Sequence, residues 1–110
     1  MNMTDFYRAI SDPVRRHILN LVAHQEQTQS QLVRQFTISQ PAVKKHLAIL
    51  LDEGLIQERR EGRYCYYRLN RSVYQQQYER LKEELGLLLE DKLSNLKQWL
   101  EEESEDGSNL

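Results

Sequence analysis

The chain has 110 residues, enough for one domain around a single core, and its 39% apolar and 29% charged content is that of a folded globular protein. No apolar run reaches the roughly 18 residues of a membrane-spanning helix. The opening Met1-Asn2-Met3-Thr4-Asp5 lacks the basic and apolar segments of a secretory signal, and a single cysteine, Cys65, excludes an intramolecular disulfide. A cytoplasmic protein is expected. The net charge of −2 conceals a split: residues 1–72 hold 11 Lys/Arg against 7 Asp/Glu, and residues 73–110 hold 4 against 10. A basic body thus precedes an acidic C-terminal segment.

Phe6, Ala9 and Ile10 predict a short helix from about Met3 to Ile10. Asp12-Pro13 offers an N-cap followed by proline at the first helical position, and Val14, Ile18, Leu21 and Val22 then recur at helical spacing over residues 13–24. Thr28-Gln29-Ser30-Gln31 is a capping box that opens a helix with Leu32, Val33 and Phe36 inside. Thr37-Ile38-Ser39 breaks that helix, and Ser39 caps the next one, with Pro41 in its first turn. Ala42, Val43, Leu47, Leu50 and Leu51 face inward, and Gly54 is a left-handed C-terminal stop. A three-residue turn between two short helices is helix-turn-helix spacing. The outward positions of the second helix, Gln40, Lys44, Lys45 and Ala48, are polar, basic or small.

After Gly54 the period changes to two. Leu55–Arg60 and Arg63–Leu69 flank Glu61-Gly62, a hairpin signal, with Cys65, Tyr67 and Leu69 on one face and Tyr64, Tyr66 and Arg68 on the other. Arg59, Arg60, Arg63, Arg68 and nearby Arg71 make this ribbon a basic wing. From Ser72 a Tyr/Leu stripe through Tyr74, Tyr78, Leu81, Leu85, Leu88, Leu93 and Leu96 to Trp99 and Leu100 predicts a helix over 72–103, interrupted by Gly86 and followed by a flexible acidic tail at 104–110. The organisation expected is one domain over 1–103, comprising a helix-turn-helix at 28–53, a wing hairpin at 55–69 and a C-terminal helix at 72–103.

These pieces converge on double-stranded DNA. A helix N-terminus at Ser39 can hold a phosphate, Gln40 can pair bidentately with adenine, and Lys44 or Lys45 can donate to guanine or neutralise phosphates. His46 lies on the same helix, and its reading is divided between a phosphate contact and packing under the wing. Arg60 and Arg63 would lie along the backbone or in the minor groove. Each residue alone is an ordinary solvated side chain; turn spacing and a basic hairpin together argue for DNA. The C-terminal stripe is longer than one small core can cover, which favours a homodimer with Leu81, Leu85, Leu88 and Leu96, joined by Phe6, at the seam. Such a dimer sets its reading helices about 34 Å apart, one DNA turn, and so calls for a palindromic operator.

The blocks Phe6–Arg16 with Ile18-Leu19, Ile38–Val43 with His46-Leu47 and Leu50, and Gly54-Leu55-Ile56 followed by Arg60-Glu61-Gly62-Arg63 and Tyr66-Tyr67 come in the order seen in the ArsR/SmtB-type winged-helix repressors, which residues 5–69 resemble. The resemblance implies an α+β, mostly α, winged helix-turn-helix of order α-α-α-α-β-β-α. It further implies a homodimer joined through its first and last helices, repression at an operator, and a bacterial or archaeal cytoplasm. Lys44-Lys45 stand where the family often has serine and a polar residue, and Val33 replaces a small alanine. The family's metal sites do not carry over. Gln29, Ser30, Gln31 and Leu32 occupy the place of a Cys-x-Cys motif, and residues 72–110 contain no histidine. No metal and no cofactor is therefore expected. Cys65 reads as a small buried hydrophobe rather than a redox switch, His17 and His24 as unremarkable, and Tyr64, Tyr66 and Tyr67 as cross-strand packing. Nothing resembles a phosphate loop, a nucleophile elbow or a carboxylate pair, so no enzyme is expected. Two alternatives stay open: a protein-interaction module on a winged-helix scaffold, and a sensor switched by a ligand or a metal.

Overall fold

The computed structural model describes residues 3–105, with side chains for all of these except 3–4, 87–94, 97 and 102–105. The described chain falls into two compact units, divided between Gln77 and Tyr78.

The first unit opens with α1 (Met3–Ile10) and α2 (Pro13–His24). The carboxylate of Asp12 accepts from the Val14 and Arg15 amides at 2.7 and 3.3 Å and so starts α2. The buried stripe of α2 is Arg15, Ile18, Leu19 and Val22, whereas Val14 and Leu21 are only half-buried. That stripe has i, i+3, i+4, i+7 spacing, rotated from the expected one so that an arginine lies inside.

A two-residue strand, β1 (Gln27–Thr28), comes next; the sequence reading had no strand here. Thr28 does two things at once. Its backbone pairs in the sheet, and its hydroxyl caps α3 (Gln29–Arg34) in the expected box, accepting from Gln31 N at 3.1 Å while Gln31 Oε1 accepts from Thr28 N at 2.8 Å. The connection to α4 (Gln40–Asp52) runs over residues 35–39, longer than the three-residue turn expected. Ser39 Oγ caps α4 by accepting from Ala42 N at 3.3 Å. At its other end Leu55 N donates to Leu50 O and Gly54 N to Leu51 O, both at 3.0 Å, around a left-handed Gly54 at φ 71°. This is a Schellman stop, and it passes the chain directly into a strand.

The hairpin is β2 (Ile56–Glu61) and β3 (Tyr64–Leu69), with Glu61 opposite Tyr64, so its two-residue turn is Gly62-Arg63 rather than Glu61-Gly62. Gly62 has φ 60° and Arg63 is not left-handed, which puts glycine at the first central position, where a type II′ turn requires it. The sheet is antiparallel in the order β1-β3-β2. Its inward face carries Tyr67, 5% exposed, with Cys65 and Leu69 half-buried; Tyr64 and Arg68 face out. Around them Phe6, Ile18, Leu32, Val43, Leu47, Leu50 and Leu55 form the core.

Helix α5 runs as one element from Arg71 to Glu105, through Gly86 and past both ends of the expected 72–103. In the first unit its opening turns place Tyr74 edge-on to Phe6, ring centres 5.9 Å apart. The second unit is the remainder of this helix. Tyr78, Leu85, Leu96, Trp99 and Leu100 are each about half exposed, and a side chain added at Gly86 would meet open space. Among the described residues no helix is long and apolar enough to cross a membrane. Of the tail expected at 104–110, residues 106–110 lie outside the described residues.

Candidate nucleic-acid interface

Between α3, the first turns of α4 and the wing lies an open groove of about 550 Å³. Gln40 and Lys44 line it from α4, Arg60, Arg63, Tyr64 and Cys65 from the wing, and Ser30, Val33 and Arg34 from α3. Four of the residues singled out from the sequence thus meet on one surface, although twenty positions separate Gln40 from Arg60. Arg34 belongs with them and was missed. It sits at the last turn of a six-residue helix, where no periodic pattern marks it, and only the three-dimensional course of the chain brings it across from Arg60.

The groove is electropositive because its cations are hardly compensated. Among the described residues Arg34, Lys44, Lys45 and Arg63 make no ion pair, and Arg60 reaches only Glu58, at 3.4 Å with its own side chain 77% exposed. Screened surface pairs of this kind add little stability and leave the charge available to a polyanion. Ser39 stands exposed at the start of α4, its hydroxyl committed to the cap, and Lys45 is exposed next to Lys44 without lining the groove.

The other wing arginines are engaged elsewhere. Arg59 donates to Glu26 and to Glu61, each at 2.6 Å, and lies over the Tyr66 ring at 4.4 Å. Its hydrogen bonds to these carboxylates push the guanidinium pKa up and, reciprocally, hold the Glu26 carboxyl below its ordinary value. Arg68 donates to Gln57 at 3.0 Å, and Arg71 caps α2 by donating to Ala23 O at 2.6 Å. His46 is half-buried, with Nδ1 3.1 Å from Arg15 Nη1, and it does not line the groove; this contact is made with α2, not under the wing. His17 packs edge-on against Phe36 at 5.1 Å, and His24 Nδ1 lies 2.7 Å from Asn20 O.

Phe6, expected at a dimer seam, is 1% exposed within a single chain, because its ring fills the space beside Tyr74. Leu81 is half-buried, Leu85 and Leu96 are 46% and 50% exposed, and the Leu88 side chain lies outside the described residues. Among the described residues no three His, Cys, Asp or Glu side chains converge. A soft-metal site needs several thiolate or imidazole donors, and Cys65, the one thiol, stands among arginines and a lysine in the wing groove. Burial, followed by the neighbouring Cys65 and Glu58, pushes the Tyr67 phenol well above the tyrosine range, so it stays protonated beside Gln29.

Residues 12–58 match the family described as bacterial regulatory protein, arsR family. The chain is 40% identical over 73 residues to the transcriptional repressor SdpR of Bacillus subtilis, an alignment covering 66% of this chain and 81% of that protein. It is 39% identical over 62 residues to a probable mercury resistance operon repressor of Streptomyces lividans, covering 56% of this chain and only 50% of that longer protein. Among solved structures, a possible transcriptional regulator for arsenical resistance superposes with a TM-score of 0.68 at 32% identity, over 79% of this chain and 95% of the other. An ArsR-like transcriptional regulator from Rhodococcus sp. RHA1 gives 0.68 at 28% identity, over 87% and 90%. With a capped α3–α4 pair, a basic wing and an uncompensated groove between them, the chain belongs to the ArsR family of bacterial regulatory proteins and is a winged-helix, DNA-binding transcriptional repressor, not an enzyme.

Proposed function

We propose that the chain acts as a homodimer that represses transcription by occupying a palindromic operator, without a metal effector. The observation that carries this reading is the groove in which Gln40 and Lys44 of α4 face Arg34, Arg60 and Arg63. In it α4 enters the major groove, with Gln40, Lys44 and Lys45 toward base edges or phosphates and Ser39 at the phosphate nearest the helix start. Arg60 and Arg63 follow the backbone with the wing, and Arg34 adds a phosphate contact from α3. Dimerisation is supported by the half-exposed Leu85, Leu96, Trp99 and Leu100 of α5, a stretch of apolar surface that water leaves costly.

The test is selection of genomic fragments by the purified protein at two salt concentrations, with and without chelator, and sedimentation of the free and bound protein. Retention of a few palindrome-bearing fragments by a dimer, indifferent to chelator, is the expected outcome. Uniform retention that vanishes at moderate salt would leave only backbone attraction and would favour a protein-interaction role.

A further inference from the structure

Behind α4 one buried side chain ties three helices together. Arg15 is 8% exposed. Its Nε donates to Ala9 O at 2.8 Å and its Nη2 to Arg8 O at 2.9 Å, closing the C-terminal end of α1. Its Nη1 lies 3.1 Å from His46 Nδ1 on α4. Among the described residues no carboxylate comes within ion-pair distance of Arg15, so the cost of burying this charge is offset chiefly by directed hydrogen bonds.

The geometry fixes the chemistry of the contact. A guanidinium has only donors, so Nδ1 must accept, which leaves the ring proton on Nε2. A protonated imidazole carries a proton on both nitrogens and would set N–H against N–H and cation against cation. The charged groups facing His46 from α2 are Arg15 and Asp12. Asp12 favours a charged ring, but its carboxylate is held by the Val14 and Arg15 amides at the start of α2. From α1 come the carbonyls of Arg8 and Ala9. Of α3 and β2, which also pack on α4, Arg34 and Arg60 stand on the groove that His46 does not line, and Arg59 is paired with Glu26 and Glu61. On α4 itself Lys45 is adjacent and exposed.

We infer that Arg15 is a positioning residue for DNA recognition, holding α4 to α1 through a neutral His46, and that protonation of His46 opens this joint and frees the recognition helix from its DNA-competent setting. DNA selects the closed joint, so acid, which populates the open one, opposes binding. The inference rests on α4 being the helix that reads DNA. It also has a sign: a histidine on the DNA-facing surface would gain charge in acid and strengthen binding, whereas this one weakens it.

The test measures affinity for a fragment recovered from the genomic pool at pH 7.5 and 5.5 and constant ionic strength, across the range in which histidine titrates. The wild type is expected to lose severalfold in affinity on acidification, because a protonated ring has no lone pair at Nδ1 to accept from Arg15. In His46→Asn, whose carbonyl can accept from Arg15 and does not titrate, that difference disappears. Affinity that rises in acid, or a loss that persists in His46→Asn, overturns the inference. In the DNA-free protein, ring nitrogen chemical shifts of His46 must report the Nε2–H tautomer at pH 7.5 and must move in Arg15→Lys; an Nδ1–H tautomer overturns the joint whether or not DNA binds. A protein that selects no fragment while passing the nitrogen test fails instead the reading of α4.

Discussion

Two sets of arginines in the first unit do opposite work. Arg15, Arg16, Arg59 and Arg71 are spent on the protein itself, donating to the carbonyls of Ala9, Ile10 and Ala23 or to Glu26 and Glu61. Arg34, Arg60 and Arg63, with Lys44, line the wing groove with almost no carboxylate to answer them. Arg59 and Arg60 are neighbours in sequence yet fall on different sides, because successive residues of a strand point to opposite faces. The net charge of the basic body therefore overstates its electrostatic footprint, and what matters is which cations have no internal partner.

This division can be broken experimentally. The largest effect is expected from Lys44→Ala with Lys45→Ala: a folded protein whose DNA affinity falls by at least about tenfold and whose log–log salt slope is shallower by about two, one per lost phosphate contact, in anisotropy titrations at several salt concentrations. Unchanged binding would remove α4 from the interface. Arg60→Ala with Arg63→Ala should weaken binding less, by about threefold to tenfold and equally for selected and unrelated duplexes, because backbone contacts carry no sequence information.

On the structural side, Asp12→Ala should cost about 1 kcal/mol in chemical denaturation, the usual value of a lost N-cap, before any effect on DNA is seen. Burial alone would push the Asp12 carboxyl up, but the amides of Val14 and Arg15 and the Arg15 guanidinium hold it below its ordinary value. The cap's stabilisation is thus present above the ordinary aspartate value and is lost as pH falls through the lower, folded one. Asp12→Ala should flatten that acid limb of a stability-against-pH curve. The smallest effect is reserved for Arg59→Ala, expected to bind DNA within about twofold of the wild type, since a screened surface charge contributes little where it touches no phosphate. A loss as large as that of the Arg60 and Arg63 pair would erase the comparison.

What the sequence showed of this molecule follows from how local each signal is. The caps at Asp12, Thr28 and Ser39 and the stop at Gly54 are decided within four residues, and each stands where its residue type placed it. Strand β1 was hidden because two residues cannot show a period and their partners, Tyr66 and Tyr67, lie almost forty positions away. The hairpin turn slipped by one because Glu61-Gly62 and Gly62-Arg63 both contain the needed glycine, and only the pairing of Glu61 with Tyr64 chooses between them. Arg15 was legible in principle. Ile18, Leu19 and Val22 define a buried stripe whose next position toward the N-terminus is 15, so an arginine there must find partners inside. Those partners come from α1 and α4, where His46 stands three residues after Val43 and four before Leu50, at the edge of the buried stripe.

Thr28 is hydrogen-bonded into the sheet beside Tyr66 while capping α3, and three residues, Glu53 to Leu55, join α4 to β2 through a closed turn. Helix α4 and the wing are therefore the two jaws of a calliper whose screw is tightened at both ends. A calliper set to one gap measures rather than grips. With α4 proposed as the reading helix, duplexes that already hold their backbone at that gap are expected to fit at least cost and stiffer or wider ones to need deformation. Some preference is therefore expected at base pairs no side chain touches.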